Sequence, residues 1–171
     1  MKDAVKILFA LMLFCTACDY RVPVTNEHSI KIDENIVGVW EQQVDDGQKG
    51  QKMLILKFSD TEYLVQYPLE KNSLYFRAYP FILNSNICIH IQLLGNADGF
   101  IGKIERPYQV LDCVLKDGGL NLKMLNTEVV NKEIQESSKL RDEIIAKSKA
   151  PDLFKDIGRF KQVSPKINTA K

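Results

Sequence analysis

From Ile36 to Asn126 the chain is broken by a turn signal about every ten residues, the spacing of an all-β sandwich or barrel. Ile36–Gln43 reads as a first strand, ended by the turn Asp45-Asp46-Gly47. Gln51–Phe58 and Glu62–Tyr67 are rich in Leu, Ile, Val, Phe and Tyr, and Ser59-Asp60 between them suits a tight hairpin. Leu74–Leu83 and Ile87–Leu94 flank Asn84-Ser85-Asn86, a short turn whose asparagines tolerate positive φ. A longer loop from Gly95 to Arg106 leads to Tyr108–Lys116, and Asp117-Gly118 then gives the strongest hairpin signal before Leu120–Asn126 returns. Consecutive strands joined mostly by hairpins form an up-and-down antiparallel meander. Such a sheet removes its exposed edges by closing into a barrel.

After Asn126 the period changes. Ser137 or Ser138 can cap a helix in which Leu140 and Ile144 share one face, ending near Ala150-Pro151. The charge signs along Lys132–Lys149 alternate, as on a solvated helix face. Pro151 suits the first position of a second short helical turn carrying Leu153, Phe154 and Ile157, with Gly158 as its stop. Arg159–Val163 then reads as a last short strand and residues 164–171 as a tail.

The N-terminus has a different character. Lys2 and Lys6 precede the unbroken apolar run Ile7–Phe14, and the small residues Thr16 and Ala17 follow, which is signal-peptide anatomy. The uncharged stretch ends at Asp19, short of the roughly 20 apolar residues a spanning helix needs. The run Leu13-Phe14-Cys15-Thr16-Ala17-Cys18 resembles the lipobox of bacterial lipoproteins, with Cys15 where that family usually has leucine. The resemblance implies that residues 1–17 are a leader cut off before Cys18, whose thiol then carries a diacylglycerol. Two or more acyl chains hold a protein stably where one holds it only marginally. The implied location is the bacterial cell envelope, anchored to a membrane and facing the periplasm. An aspartate after the acylated cysteine, here Asp19, favours the inner membrane in the sorting pattern of enteric bacteria, with the outer membrane as the other destination.

Residues 18–35 are polar, contain Pro23 and have no sustained period, so they read as a tether between lipid and domain. The alternative is an extended strap along the domain, using Val22, Val24, Ile30 and Ile32. Residues 36–163 form the folded unit. Within it, Gly38-Val39-Trp40 near the start of the first strand resembles the glycine-any-tryptophan signature of lipocalins, whose up-and-down barrel also has a late helix. The resemblance implies that Trp40 closes the barrel floor under a basic side chain from a late strand, with Lys123 and Arg159 as candidates. The late Thr-Asp-Tyr-like turn of that family is not visible.

If the strands around the loop 95–106 pair about its centre, Cys88 faces Cys113, and an exported protein permits a disulfide there; two buried reduced thiols are the alternative. His90 lies on the same strand face as Cys88, but a Cys-His-Cys set lacks a fourth ligand, so no metal site is expected. Of the two histidines, His28 falls in the tether and His90 alternates with isoleucines, where a structural role fits. No nucleophile elbow, HExxH helix or phosphate loop occurs, and Asp60 with Glu62, Asp45 with Asp46, and Asp117 read as turn residues and not as acid/base pairs, so neither enzyme activity nor a cofactor is expected. Removing residues 1–17 takes away Lys2, Lys6 and Asp3 and leaves a formally neutral chain, which argues against nucleic acid as a partner. Two functions remain open. One is a barrel that surrounds a small apolar ligand with Tyr63, Tyr67, Tyr75, Phe76 and Tyr79; the other is a filled barrel that binds an envelope protein, as an assembly accessory or an inhibitor of a lytic enzyme.

Overall fold

A computed structural model describes residues 20–44, 48–102 and 106–165. The leader 1–17, Cys18, the turn Asp45-Asp46-Gly47 and the tail from residue 166 lie outside the described residues. Strands β1 (Gly38–Gln42), β2 (Lys52–Lys57), β3 (Tyr63–Tyr67), β4 (Leu74–Leu83) and β5 (Asn86–Asn96) follow one another as antiparallel neighbours. After a two-residue strand β6 (Gly99–Phe100) come β7 (Tyr108–Lys116) and β8 (Gly119–Leu125), the helix α1 (Ser137–Ala146), and the long β9 (Phe154–Pro165). The order β4-β3-β2-β1-β9-β8-β7-β5, with β5 returning to pair with β4, is a closed antiparallel barrel of eight strands; β6 is a short arm on β5. All its neighbours are antiparallel.

The hairpins form where the sequence places them. Asn84 and Ser85 turn β4 into β5 with φ of 47° and 68°, and Asp117 and Gly118 turn β7 into β8 with φ of 52° and 69°. Positive φ at both central residues matches the twist of the flanking strands. Gly38 opens β1 at φ 145°, a value that a side chain would strain, and the preceding 3-10 turn Glu34–Ile36 packs Ile36 against the interior core at that end. This floor end also carries the turns 58–62, 84–85 and 117–118. The opposite, loop end carries the connections 43–51, 68–73 and 97–107, and the 126–153 connection leaves from and returns to it.

The barrel has two apolar cores, one on each side of its wall. Inside, alternate residues of every long strand converge: Trp40, Met53, Ile55, Phe76, Ile89, Ile91, Leu111, Leu122 and Phe160. Outside, Phe81, Leu83, Cys88 and Val110 from β4, β5 and β7 are covered by Tyr20 and Val24 of the N-terminal segment, by Val130 and by Leu140 and Ile144 of α1. β5 is therefore buried on both faces through its middle, which is why it reads as a near-continuous apolar run.

Two expectations are corrected. Residues 154–158 continue β9 instead of making a second helical turn. Gly158, at φ 135°, sits where the β8–β9 register shifts, so the glycine read as a helix stop marks a bulge. The segment from Tyr20 to Asp33 is the strap, not a free tether. Tyr20 forms an antiparallel bridge with Tyr108, and the chain then crosses the outside of β7, β5, β4 and β3 until Ile32 donates its amide to the Asp60 carbonyl at 3.0 Å.

The packing of α1 is directly testable. Leu140 is fully buried against the barrel, so Leu140→Ala should cost about 3 kcal/mol, as core leucine truncations do. Ile145, 36% exposed on the same helix, should change stability by no more than about 0.5 kcal/mol when replaced by alanine. Urea unfolding of the two variants measures both; equal losses would mean that α1 does not dock through its Leu140 face.

Candidate functional site

Two places on the molecule concentrate chemistry: the barrel interior and the strap crossing. The interior holds a cavity of about 80 Å³ lined almost entirely by apolar side chains, with Tyr63, Tyr67 and Cys113 as the residues bearing polar atoms. Tyr63 spends its hydroxyl on the strap, accepting from the Asp33 amide at 2.8 Å and donating to the Asp33 carbonyl at 3.1 Å. Burial pushes the Cys113 thiol up to about 12, with Asp112 and Asp33 adding to the effect, so at neutral pH it is a thiol and not a nucleophile. The interior thus offers shape and apolar contact only. Its volume is well below the roughly 300 Å³ at which small-molecule pockets begin, and about half the ~150 Å³ of an apolar cavity that admits benzene.

At the strap crossing, His28 stacks on Tyr79 with ring centroids 3.8 Å apart, and Tyr79 stacks in turn on His90 at 5.0 Å. Phe81 and Tyr108 meet His90 edge-on. The His28 Nδ1 donates to Glu62 Oε1 at 2.6 Å, and Arg77 grips the same carboxylate with two bonds, at 2.8 and 2.5 Å. The Arg77 guanidinium holds Glu62 below the usual carboxylate range; burial opposes this and His28 assists it. Tyr79 donates its hydroxyl to the Thr25 carbonyl at 2.9 Å. One charge cluster and one aromatic stack together fasten the strap.

His90 is the most constrained of these groups. It is fully buried, and its Nε2 accepts the Val24 amide at 3.1 Å. An accepting Nε2 puts the proton of the neutral ring on Nδ1, which is buried without a hydrogen-bond partner. A second proton would have to go on Nε2, where it would face the Val24 N–H. Burial, with a smaller push from His28, lowers the pKa of His90 to about 3.

The residues singled out from sequence separate into several groups. Cys18 lies outside the described residues. Gly38 and Trp40 stand where the floor closes: Trp40 is buried in the interior core and donates its indole N–H to the Ile36 carbonyl of the 3-10 turn at 2.7 Å. Neither Lys123 nor Arg159 lies across that ring. Both are exposed at outward positions, Lys123 between the inward Leu122 and Met124 and Arg159 next to the inward Phe160, because strand alternation sends them away from the core.

Cys88 and Cys113 are free thiols. The β5–β7 ladder pairs Ile89 with Leu111, one residue away from the register that would oppose the cysteines. That single step puts Cys88 in the outer core and Cys113 against the inner one, on opposite sides of the wall. Of the aromatics expected inside, Tyr63, Tyr67 and Phe76 line the cavity, whereas Tyr79 faces outward beneath the strap and Tyr75 is only half-buried. The parts sequence reasoning missed are Glu62, Arg77 and the role of His28. Glu62 looked like a turn residue, and its partners come from segments distant in the chain.

Compared with protein-family models, with curated proteins and with solved structures, the chain matches none.

The state of His90 makes stability depend on pH. Its folded pKa lies below the unfolded value, so its contribution is complete above about pH 6.5 and is lost as pH falls toward about 3. Between about pH 6.5 and 4.5, above the carboxylate range, the slope it adds should approach 1.4 kcal/mol per pH unit. His90→Gln cannot titrate there, and its stability measured by denaturant unfolding should lack that component; identical slopes in the two proteins would contradict the assignment. The thiols give a second check: alkylation of the unfolded, unreduced domain should label both Cys88 and Cys113.

Proposed function

We propose that this protein is a bacterial cell-envelope lipoprotein, acylated on Cys18 and facing the periplasm, whose lipocalin-like barrel works by binding another envelope protein and not by carrying a ligand or by catalysis. The observation that carries the choice is the size of the interior, about 80 Å³. A cavity that small leaves no room for a fatty acid or lipid chain as the barrel stands. The lipobox-like run ending at Cys18 supports export and anchoring, and Asp19 after it supports the inner membrane over the outer. Gly38-Val39-Trp40, the 3-10 turn and the strand order support the lipocalin-like reading of the barrel. The surface offers somewhere for a partner to dock: Ile82 and Ile87, paired across the β4–β5 hairpin at the floor end, are 52% and 59% exposed.

A second reading, in which the barrel takes a small apolar molecule, is favoured by the apolar character of the cavity lining. The two readings part in a titration. Trp40 is the only tryptophan and belongs to the interior core, so a molecule entering the barrel should alter its emission. Titration with palmitate should give no saturable change, and a stoichiometric, saturable change would replace the interaction reading with the carrier reading. The anchor is tested apart from this by cell fractionation: Cys18→Ser should leave the membrane fraction for the soluble one, and full retention of the variant in membranes would remove the lipid anchor.

A further inference from the structure

The strap fixes how far the folded barrel can stand from the lipid. Tyr20 exchanges two backbone hydrogen bonds with Tyr108, each 2.9 Å, and its side chain is buried with the hydroxyl donating to the Val130 carbonyl at 3.3 Å. Only one residue, Asp19, separates Tyr20 from Cys18, and a chain of that length spans at most about 7 Å. A lipid on Cys18 would therefore hold the Tyr108 side of the barrel against the headgroups instead of suspending it on a long leash.

The same side carries the most exposed large apolar residue of the described surface. Tyr108 lies opposite Gln92, at the start of β7. Three residues further along β5, about 10 Å toward the loop end, Gly95 pairs with Phe100. Phe100 is 82% exposed near the tip of the β5–β6 hairpin, with Asp98 in the turn and Arg106 bonded through Nε to the Ile101 carbonyl at 3.0 Å nearby. The floor end, with exposed Phe58, Ile82 and Ile87, is the opposite one.

We propose that the β5–β6 hairpin is a membrane contact: with Cys18 acylated, the barrel stands with its loop end on the bilayer and Phe100 enters the interfacial layer, a second, non-covalent point of attachment. This rests on the anchoring of Cys18 proposed above. Two attachments at separate points fix an orientation that one lipid cannot. They also turn Ile82 and Ile87 away from the membrane, where a partner can reach them.

The test uses the full acylated chain in vesicles of phosphatidylethanolamine and phosphatidylglycerol, some containing brominated acyl chains. Phe100→Trp adds a reporter at the hairpin, and Phe58→Trp adds one at an exposed site of the floor end; the unmodified chain gives the Trp40 background. The added emission of Phe100→Trp should shift to the blue and be quenched by brominated lipid, and that of Phe58→Trp should do neither. Equal quenching at both sites, or none at residue 100, overturns the orientation. The mass of the N-terminal peptide keeps the two claims distinct: an acylated Cys18 with no quenching at residue 100 overturns the hairpin contact alone, whereas an unacylated Cys18 overturns the anchor and the contact with it.

Discussion

The bond between the Val24 amide and the buried ring of His90 is where the N-terminal segment becomes part of the fold. A fully buried imidazole with one unpaired N–H is a costly group, of the order of 1–3 kcal/mol for the missing bond. It is tolerated because the ring is enclosed by Tyr79, Phe81 and Tyr108, and because its other nitrogen satisfies a strap amide that would itself be buried without a partner. Around this point the bidentate Arg77–Glu62 pair and His28 close the crossing from the more exposed side. Without the strap, Val110, Phe81 and Cys88 on the outer wall would lose part of their cover.

This arrangement assigns different tasks to the two sides of the barrel wall. The inner side packs around Trp40 and the 3-10 turn and retains only a small apolar space, so it serves to hold the strands in register. The outer side uses strap, helix and the 126–134 connection to bury the one stretch of wall made by β4, β5 and β7. The most exposed large apolar residues lie at the ends: Phe100 at the loop end, and Phe58, Ile82 and Ile87 at the floor end. The interior is nearly filled, and large apolar side chains are exposed at both ends of the barrel. That geometry is the basis for preferring a protein partner to a carried ligand.

How much of this was legible in the sequence depends on the range of the interactions. Hairpins at Asn84-Ser85 and Asp117-Gly118 announce themselves because positive φ at adjacent residues is a local demand with few residue types to meet it. Closure into a barrel also followed from local signals, since a meander leaves edges that only closure removes. The features that were missed or misread depend on register or on segments far apart. The Cys88–Cys113 pairing failed by one residue because β5 and β7 pair one position away from the midpoint of the intervening loop, and local sequence does not fix that register. Gly158 was misread because a positive-φ glycine serves a helix end and a strand bulge equally well. The strap carried a visible cue in Val22, Val24, Ile30 and Ile32, but their spacing matches no single period because the segment crosses four strands instead of pairing along one.

Native-state hydrogen exchange at the Val24 amide tests the integration of the strap most directly, because that proton has no backbone acceptor and owes its bond to His90 alone. If the strap is part of the cooperative structure, Val24 should exchange slowly, with an opening free energy close to that of the barrel amides in β5 and β7. Exchange at the rate of an unstructured peptide, while those barrel amides remain protected, would mean that the segment is a tether after all and that His90 is buried for some other reason.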